Sequence, residues 1–313
     1  MDQRSCLVTG GAGFIGSHLV QALLDDGWSV KVLGRQQSNY SSLDKVSRRV
    51  ELIEGDFGDK NVARIALDGV DTLFHFASTT LPATAYGHSI EDVTENLVGT
   101  LNLLDEALTR GCTRLIFPSS GGTVYGPTTQ TPIPESHSTH PICSHGIVKL
   151  ATENYIQLMS LERGLKYTIL RYANPYGPRQ RSNSVQGAVA VFTHRILMQQ
   201  PVEIWGDGSV VRDYIYIDDV VRGTVLASSS EQAVNQIFNI GSGVGASIRE
   251  LISLIEEMVN VSAIVNFSPA RQFDVPINIL AIDKAQSRLG WSPSLSLRDG
   301  LQKTLKHLLI SHP

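Results

Sequence analysis

The sequence has 313 residues, of which 42% are hydrophobic and 18% charged, with a formal net charge of −4. This composition is typical of a globular protein and excludes collagen-like, disordered and disulfide-scaffold chains. The 26 basic and 30 acidic residues predict no nucleic-acid or anionic-membrane partner. Scattered cysteines, no signal segment and no apolar run of about 18 residues predict a soluble, cytoplasmic protein.

Short β-branched runs alternate with amphipathic stretches through the first half of the chain, as in a parallel sheet covered by helices. The predicted strands are Cys6–Thr9, Ser29–Leu33, Val50–Glu54, Thr72–Phe76, Arg114–Phe117 and Tyr167–Arg171. The predicted helices are Phe14–Asp26, Asn61–Leu67, Ile90–Thr109 and His145–Arg163. Because strands joined by helices cross over right-handedly, these elements predict a Rossmann-type, doubly wound parallel sheet of the α/β class.

The texture of the sequence changes after Tyr172, where Pro- and Gly-rich connections and shorter elements begin. We therefore predict a dinucleotide-binding Rossmann domain over residues 1–172 and a smaller C-terminal α/β lobe over residues 173–313. Within the lobe, residues 211–222 and 235–243 are expected to return to the Rossmann domain.

A glycine loop, Thr9–Gly16, follows the first predicted strand and opens the first helix. Gly10, Gly13 and Gly16 have the G-x-x-G-x-x-G spacing. Glycines there allow a tight turn and let a pyrophosphate approach the backbone and the positive end of the helix. Since the loop lies at the start of a β-α-β unit, it predicts dinucleotide binding.

The end of the second predicted strand reads Leu33-Gly34-Arg35, where an acidic residue would hold the ribose diol of NAD. The guanidinium of Arg35 suits a 2′-phosphate, which favours NADP over NAD as the cofactor. The alternative is that Arg35 is a solvated loop residue.

Ordered motifs along almost the whole chain resemble the NAD-dependent epimerase/dehydratase family of the extended short-chain dehydrogenase/reductase superfamily. They are Thr9–Gly16, Gly55-Asp56-Phe57, Asn96-x-x-Gly99-Thr100-x-Asn102, Val124-Tyr125-Gly126, Leu170–Pro178, Gly206-Asp207-Gly208, Arg212–Val220, Asn239-Ile240-Gly241 and Leu289-Gly290-Trp291.

This resemblance implies an NAD(P) cofactor, a nucleotide-sugar substrate bound by the C-terminal lobe, and a homodimer formed through the helices Ile90–Thr109 and His145–Arg163. The cofactor contacts it implies are Gly10, Gly13, Phe14, Ile15, Gly16, Asp56, Phe57, Ala77 and Asn96, with Asp56 and Phe57 flanking the adenine. The implied contacts to the substrate nucleotide and its pyrophosphate are Asn174, Arg212 and Arg271.

In the resembled family a tyrosine four residues before a lysine takes the proton from a sugar hydroxyl, and the lysine also holds the nicotinamide ribose. The matching segment here keeps Lys149 but has His145 at the tyrosine position. A neutral imidazole accepts a proton, so His145 is a candidate base, although it is shorter than a phenol and Lys149 lowers its pKa by repulsion. The alternative is a catalytically impaired site that still binds its ligands.

The hydroxyl that faces this tyrosine in the family is also replaced. Gly121 stands where relatives commonly carry the active Ser or Thr, and the nearest hydroxyls are Ser120 and Thr123. Those two are candidates for bonding the sugar O4, or they only make hydrogen bonds at a strand end. Gly122 and Thr123 supply no carboxylate where dehydratases and decarboxylating relatives carry one, which disfavours dehydration.

Four residues with metal-binding side chains, His137, His140, Cys143 and His145, lie close together in the sequence. The stretch is a Pro-bearing loop and the resembled family needs no metal, so we expect no metal site.

The sequence therefore predicts a nucleotide-sugar epimerase that inverts C4 of a UDP-sugar through transient oxidation with bound NAD(P). His145 would replace the usual acid/base, Lys149 would orient the ribose, and Ser120 or Thr123 would bond O4. One alternative is an NADP-dependent reductase of a 4-keto nucleotide sugar, which Arg35 favours. The other is a catalytically impaired nucleotide-sugar-binding family member, which His145 and Gly121 favour.

Overall fold

A computed structural model describes residues 4–36, 38–80, 87–182, 187–271 and 274–311. Among these residues, seven parallel strands form a large sheet: β1 (Ser5–Thr9), β2 (Ser29–Gly34), β3 (Val50–Glu54), β4 (Thr72–His75), β5 (Arg114–Ser120), β6 (Lys166–Tyr172) and β10 (Gln236–Ile240). Their spatial order is β10-β6-β5-β4-β1-β2-β3. This confirms the predicted α/β class and the doubly wound parallel sheet.

Helices connect the strands. They are α1 (Phe14–Asp25), α2 (Lys60–Ala66), α3 (Ser89–Glu91), α4 (Gly99–Thr109), α5 (Ser144–Arg163), α6 (Ala188–Leu197), α7 (Ile217–Ser229), α8 (Ile248–Val259), α9 (Asp283–Leu289) and α10 (Leu297–Ser311). Short 3₁₀ segments occur at Ser41–Arg49 and Glu231–Ala233. The predicted elements of the first half are all found with small shifts at their ends, apart from two larger differences.

The predicted helix Ile90–Thr109 is not one regular helix. It is divided into α3, a π-helical turn at Asp92–Val98, and α4. Asp92 and Asn96 are both buried in this turn, and Asn96 Nδ2 donates to Asp92 Oδ1 at 2.9 Å. Periodicity in the sequence does not reveal the turn because a π-bulge changes the helical pattern by only one residue.

Strand β5 ends at Ser120 rather than at the predicted Phe117. The next residue is Pro118, which lacks an N–H to donate to a neighbouring strand. The pairing with β6 nevertheless continues, with Pro118 opposite Leu170, and it is extended by Gly121 N, which donates to Tyr172 O at 2.8 Å. The longer strand places Ser120 at the carboxyl edge of the sheet.

Both faces of the large sheet are covered, because successive residues of a strand point to opposite sides. Val8 of β1 packs in one core cluster with Leu19 of α1 and Val220 of α7. Leu7, its neighbour in the strand, packs in a second cluster with Leu104 of α4. The buried strands therefore form a rigid support whose carboxyl ends face one edge.

The C-terminal half adds two smaller sheets. Strands β7 (Asn174–Tyr176), β11 (Gly245–Ser247) and β13 (Ile277–Asn278) each pair with β9 (Val211–Tyr216), and β8 (Val202–Trp205) pairs with β12 (Val265–Ser268). Within residues 235–243, β10 lies at the edge of the large sheet.

Residues 211–222 are divided between the two parts of the molecule. Their helical portion, in α7, packs against α1, a helix that covers one face of the large sheet. The strand β9 departs from the expectation, because its pairing partners belong to the second sheet. The domain boundary at residue 172 stays a prediction.

In the part of the chain that the structure describes, no helix is both long enough and apolar enough to cross a bilayer.

Candidate active site

A cavity of about 1460 Å³ opens at the carboxyl edge of the large sheet and extends into the second lobe. Its wall contains Ala12–Ile15 from the glycine loop, Ser120 and Thr123 after β5, and Arg212 and Arg271 from the second lobe. Pockets for one small ligand usually measure roughly 300–1000 Å³. This cavity therefore has room for two ligands side by side.

The glycine loop closes tightly on the end of β4. Gly10 has φ +70, and a Cβ atom there would lie 2.8 Å from the Phe76 carbonyl and the Ala77 nitrogen. Gly13 begins α1 without a side-chain cap, and its Cβ would lie 3.1 Å from the Gly10 carbonyl oxygen. At Gly16 a Cβ would overlap the Gly10 backbone. No Cβ fits at Gly10 or Gly16 without moving the backbone, and the shape of this cradle suits a pyrophosphate at the start of α1.

Phe14 and Ile15, the first residues of α1, are partly buried and line the large cavity beside this cradle. The positions of the predicted loop residues therefore agree with a dinucleotide lying across the helix N-terminus.

Arg35 lies just past the end of β2. Its guanidinium is 3.7 Å from the Glu95 carboxylate, and both side chains are about half exposed. Arg35 does not line the large cavity. The part of the cavity wall near it is formed by Asn39, Ser41, Ser42 and Lys45, in and just before the 3₁₀ segment. Lys45 is a cation on this wall that the sequence analysis missed, because nothing in its local pattern distinguishes it from a solvated lysine.

Asp56 and Phe57 follow β3. Asp56 is exposed, and its Oδ1 accepts from Gly58 N at 2.8 Å. Phe57 is buried and packs edge-on against the His75 ring, with the ring centroids 4.9 Å apart. Asp56 is thus open to a ligand, whereas Phe57 is mainly a core residue.

Ala77 lies just after β4, and Asn96 lies in the π-helical turn. Ala77 N donates to Thr9 Oγ1 at 3.1 Å, which joins the ends of β4 and β1. The Asn96 side chain is buried, and its Oδ1 accepts from Thr79 N at 2.8 Å. Asn96 therefore supports the loop after β4 through its side chain.

The hydroxyl groups after β5 have different surroundings. Ser119 is buried and donates to Glu153, whereas Ser120 and Thr123 face the large cavity. Gly121 is buried, with Leu280 packed against the space where its side chain would be. Ser120 and Thr123 are thus the hydroxyl groups of this segment that a ligand in the cavity meets.

His145 lies in the first turn of α5 and is only 8% exposed. Its Nδ1 is 3.5 Å from Thr123 Oγ1, so the imidazole lies behind the threonine rather than on the large cavity itself. Burial and the nearby Lys149 ammonium lower the pKa of His145 to about 4, while Asp92 acts in the opposite direction. The imidazole is therefore neutral near pH 7 and can accept a proton.

Lys149 lies one turn further along α5. Its Nζ donates to the Pro118 carbonyl at 2.9 Å and lies 4.7 Å from the centre of the Phe117 ring. Burial lowers the pKa of Lys149 to about 8, against the effects of the Glu153 and Asp92 carboxylates. The i, i+4 spacing places Lys149 on the same helical face as His145, as the sequence predicts.

A second, much smaller cavity of about 10 Å³ lies between His145 and Lys149 and also contacts His75, Asp92 and Asn96. The His75 ring is 2.7 Å from the Thr9 hydroxyl through Nδ1 and 2.7 Å from the Thr100 hydroxyl through Nε2. Burial lowers the pKa of His75 to about 3. His75 and Asp92 were not found from the sequence, because neither belongs to a motif that the resemblance supplied.

The three predicted substrate contacts come together on the far wall of the large cavity. Asn174 Nδ2 donates to the Asp213 carbonyl at 3.0 Å, and Arg212 Nη1 donates to the Val275 carbonyl at 2.7 Å. The Asp274 carboxylate accepts two bonds from Arg271, at 2.8 and 3.1 Å. Two anchored guanidinium groups make this wall suited to a pyrophosphate.

Two aromatic residues on the same wall were missed from the sequence. The Arg271 guanidinium lies 5.3 Å from the Trp205 ring centre, and Trp205 is 45% exposed. The Tyr214 hydroxyl is buried on the cavity wall with no hydrogen-bond partner among the described residues. Both lie in or beside resembling motifs, at Gly206-Asp207-Gly208 and Arg212–Val220, which is the signal that could have found them.

Within the described ranges, no three His, Cys, Asp or Glu side chains are grouped as they would be around a metal ion. His137 instead contacts the Thr128 hydroxyl at 2.9 Å and the Ser138 carbonyl at 2.7 Å.

The family model of the NAD dependent epimerase/dehydratase family matches residues 6–241. The chain belongs to this family. The match begins in β1 and ends just after β10, so it spans the large sheet and the glycine loop. The resemblance stated from the motifs is thereby confirmed, and the glycine-loop cradle is the part of the chain that fits the family's nicotinamide dinucleotide.

Two solved structures and a curated relative are similar over nearly the whole chain. A UDP-glucose 4-epimerase of Thermotoga maritima, solved with UDP-glucose, is 38% identical with a TM-score of 0.93, covering 99% of this chain and 100% of that one. A UDP-glucose 4-epimerase of Thermus thermophilus, solved with NAD, is 32% identical with a TM-score of 0.91, covering 97% and 99%. A dTDP-4-dehydro-6-deoxyglucose reductase of Escherichia coli is 32% identical over 317 residues, covering 98% of this chain and 99% of the relative.

Proposed function

We propose that this protein is a nucleotide-sugar epimerase that inverts C4 of a UDP-linked sugar. The observation that carries the proposal is the contact between Thr123 and His145. Thr123 faces the large cavity between the glycine loop and the two arginines, and its hydroxyl lies 3.5 Å from the buried Nδ1 of His145. A sugar hydroxyl bound beside Thr123 can therefore pass its proton through the threonine hydroxyl to the neutral imidazole of His145. The similarity to two UDP-glucose 4-epimerases supports this reading.

In the proposed mechanism, the glycine loop would hold NAD(P) beside the sugar, and the cofactor would supply reversible hydride transfer at C4, so that the hydride can return to the other face of the ring. Thr123 passes the O4 proton to His145, and the same proton returns to the oxygen when C4 is reduced. No net proton or hydride is consumed, because both return to the substrate. Lys149, anchored to the Pro118 carbonyl, orients the ribose.

The second lobe holds the nucleotide part of the substrate in this proposal. Arg212 and Arg271 face the pyrophosphate, and Asn174 contributes a fixed amide beside them. Because Asp274 already pairs with Arg271, the guanidinium plane is held in place before the ligand arrives. Fixed donors lose little conformational entropy when they bind an anion.

The test uses the purified full chain with NAD⁺ or NADP⁺ and a panel of UDP-glucose, UDP-galactose and their N-acetyl counterparts. We expect interconversion of one C4 pair with no net change in nicotinamide absorbance. Thr123→Val keeps the side-chain volume and removes the hydroxyl, so it should lower turnover. Tight binding of a UDP-sugar without interconversion would instead identify the impaired, ligand-binding member of the family.

The competing reaction is reduction of a 4-keto nucleotide sugar, because the chain also resembles an Escherichia coli reductase over nearly its whole length. A reductase releases its oxidised cofactor at each turnover. Stoichiometric loss of NADPH absorbance on addition of a 4-keto nucleotide sugar, without epimerisation, would therefore replace the epimerase proposal.

We further propose that NADP is preferred over NAD. Arg35 is supported by a partly solvated pair with Glu95, and Lys45 adds a second cation on the nearby cavity wall. Exposed pairs of this kind contribute little stability, so a 2′-phosphate can replace the glutamate as the partner of Arg35. The Thermus thermophilus structure contains NAD, so this preference would distinguish the present chain from that relative.

A homodimer is the proposed assembly. Four apolar residues on the helices predicted to form the dimer, Val93, Ile147, Tyr155 and Leu158, are each more than 40% exposed. Leu104, on the same predicted helix as Val93, is instead buried in the core. The exposed apolar residues support a second copy of the chain as their cover.

We propose a cytoplasmic location, for which the scattered cysteines of the sequence are again the reason. Cys6, Cys112 and Cys143 are free thiols in the structure, which is consistent with a reducing compartment.

A further inference from the structure

Asp92 is a buried carboxylate beside the proposed base. It opens the π-helical turn and is only 1% exposed. Its Oδ1 accepts from Thr80 Oγ1 at 2.7 Å and from Asn96 Nδ2 at 2.9 Å. Its Oδ2 accepts from Ser144 Oγ at 2.7 Å. All three donors are neutral side chains, so hydrogen bonds hold the carboxylate while its charge is available to act on other groups.

The bond from Ser144 connects this carboxylate to the catalytic helix. Ser144 is the first residue of α5 and directly precedes His145. No side chain caps this helix end, since its N-cap residue is Cys143 and no cap hydrogen bond forms. The contact with Asp92 is therefore a tertiary restraint on the turn that carries the imidazole.

The charged groups around His145 decide how easily its imidazole takes up a proton. The titratable residues on the small cavity are His75, Asp92, His145 and Lys149, within the described part of the chain. His75 is neutral near pH 7, and Lys149 opposes a second positive charge. When His145 takes a proton it becomes a cation beside that lysine, and Asp92 is the anion on the same cavity.

We propose that Asp92 is a positioning residue, which orients His145 through Ser144 and supplies the negative charge that stabilises the imidazolium during the reaction. The inference rests on the proposed epimerase function and assigns a role to a residue outside the family motifs of this chain. It gives a physical reason for placing a carboxylate in the unusual π-helical turn.

The effect of the Asp92 charge on the reaction rate should have opposite signs for a histidine base and for a tyrosine base. A histidine base starts neutral and becomes a cation, so a nearby carboxylate favours proton uptake. A tyrosine base starts as a phenolate anion, so the same carboxylate disfavours the reactive form. Removing the charge should therefore slow a histidine enzyme and speed a tyrosine enzyme at the same position.

The experiment compares Asp92→Asn in two backgrounds, the natural chain and the His145→Tyr variant. Asparagine has nearly the same shape as aspartate, and its amide can donate to Ser144, so the change removes the charge with the smallest change in packing. We expect kcat for UDP-sugar epimerisation to fall about tenfold in the natural chain, because a nearby charge shifts a pKa by at least about one unit. In the His145→Tyr background kcat should rise.

Ser144→Ala is the matched control, because it removes the hydrogen bond and leaves the Asp92 charge in place. It should lower kcat in both backgrounds, since it loosens the helical turn whichever base stands there. If Asp92→Asn slows both backgrounds as Ser144→Ala does, Asp92 has only a structural role and the charge proposal is overturned.

A measurement without turnover separates this inference from the proposed function. The imidazole of His145 is titrated by NMR in the natural chain, in Asp92→Asn and in Asp92→Glu, which retains the charge. The pKa of His145 should fall in Asp92→Asn and fall less in Asp92→Glu. An unchanged pKa in Asp92→Asn overturns the role of Asp92, whereas a lowered pKa with no epimerisation of any UDP-sugar overturns the proposed function alone.

Discussion

Leu280 occupies the space that a side chain at Gly121 would need. A Cβ atom at Gly121 would lie 2.5 Å from Leu280 Cδ1 and 3.2 Å from the Tyr172 carbonyl oxygen. Leu280 is completely buried and therefore has little room to move. A hydroxyl-bearing side chain at Gly121 therefore has no space while Leu280 lies there.

We predict that Gly121→Ser does not restore that hydroxyl by itself. Overpacking a buried site costs about 1–3 kcal/mol, so the variant should melt at a lower temperature without a gain in kcat. Gly121→Ser combined with Leu280→Ala should recover part of the loss. The control is Leu280→Ala alone, and equal melting temperatures for Gly121→Ser and the natural chain would contradict the packing argument.

The cofactor preference is tested at Arg35. We expect tighter binding of NADPH than of NADH, and Arg35→Ala should narrow the difference by about tenfold, because a charge-assisted contact to phosphate is lost. Calorimetry with both cofactors measures the ratio. Arg48→Ala, which removes another exposed arginine at the far end of the 3₁₀ segment Ser41–Arg49, serves as the control. Equal affinities in the natural chain would remove the basis for the preference.

His145 is expected to be a working but weak base. His145→Ala should lower kcat by ~10²–10⁴-fold, the usual contribution of a positioned acid/base group. His145→Tyr should raise kcat, because a phenol one helical turn before Lys149 restores the arrangement of the resembled family. Activity should also be lost as the pH falls through about 4, where the imidazole becomes charged. Unchanged turnover in His145→Ala would show that another group takes the proton.

The two buried histidines predict acid sensitivity of the fold. The folded-state pKa values of His75 and His145 lie near 3 and 4, below the ordinary value of 6.5. Below pH 6.5 the unfolded chain therefore binds more protons than the folded chain, and stability decreases as the pH falls. The expected slope is about 1.4 kcal/mol per pH unit for each histidine.

Denaturant unfolding between pH 7 and pH 5 measures that slope. His75→Asn should reduce the slope of the unfolding free energy with pH by about half, whatever the effect of the substitution on stability at pH 7. His88→Asn is the matched control, because His88 is exposed. A slope that is the same in His75→Asn and the natural chain would argue against the buried neutral state of His75.

The proposed dimer is tested on α5. Ile147 is 53% exposed, and Ile147→Glu should convert a dimer into a monomer because a charge would be buried at the interface. Ile65→Glu places the same charge on an exposed site of α2, outside the proposed face, and should leave the dimer intact. Light scattering at micromolar concentration distinguishes the two, and a monomeric natural chain would contradict the assembly.

Local patterns in the sequence were sufficient for the sheet, the glycine loop and the Lys149 position. Each of these depends on spacing within one strand–loop–helix unit or one helix, which the order of residues determines directly. The spacing of Gly10, Gly13 and Gly16, for example, predicts the tight turn that the structure contains. The family also followed from such ordered local motifs, and the match over residues 6–241 confirms it.

The surroundings of the base were decided only by the tertiary structure. Asp92 and Ser144 are 52 residues apart in the chain, and Gly121 meets Leu280 from the other lobe. Side chains so far apart are brought together by the packing of separate elements, and no periodicity encodes which of them touch. The sequence therefore shows that a histidine stands at the position of the family tyrosine. The burial of His145 behind Thr123 and its proximity to Lys149 and Asp92 arise only from the fold.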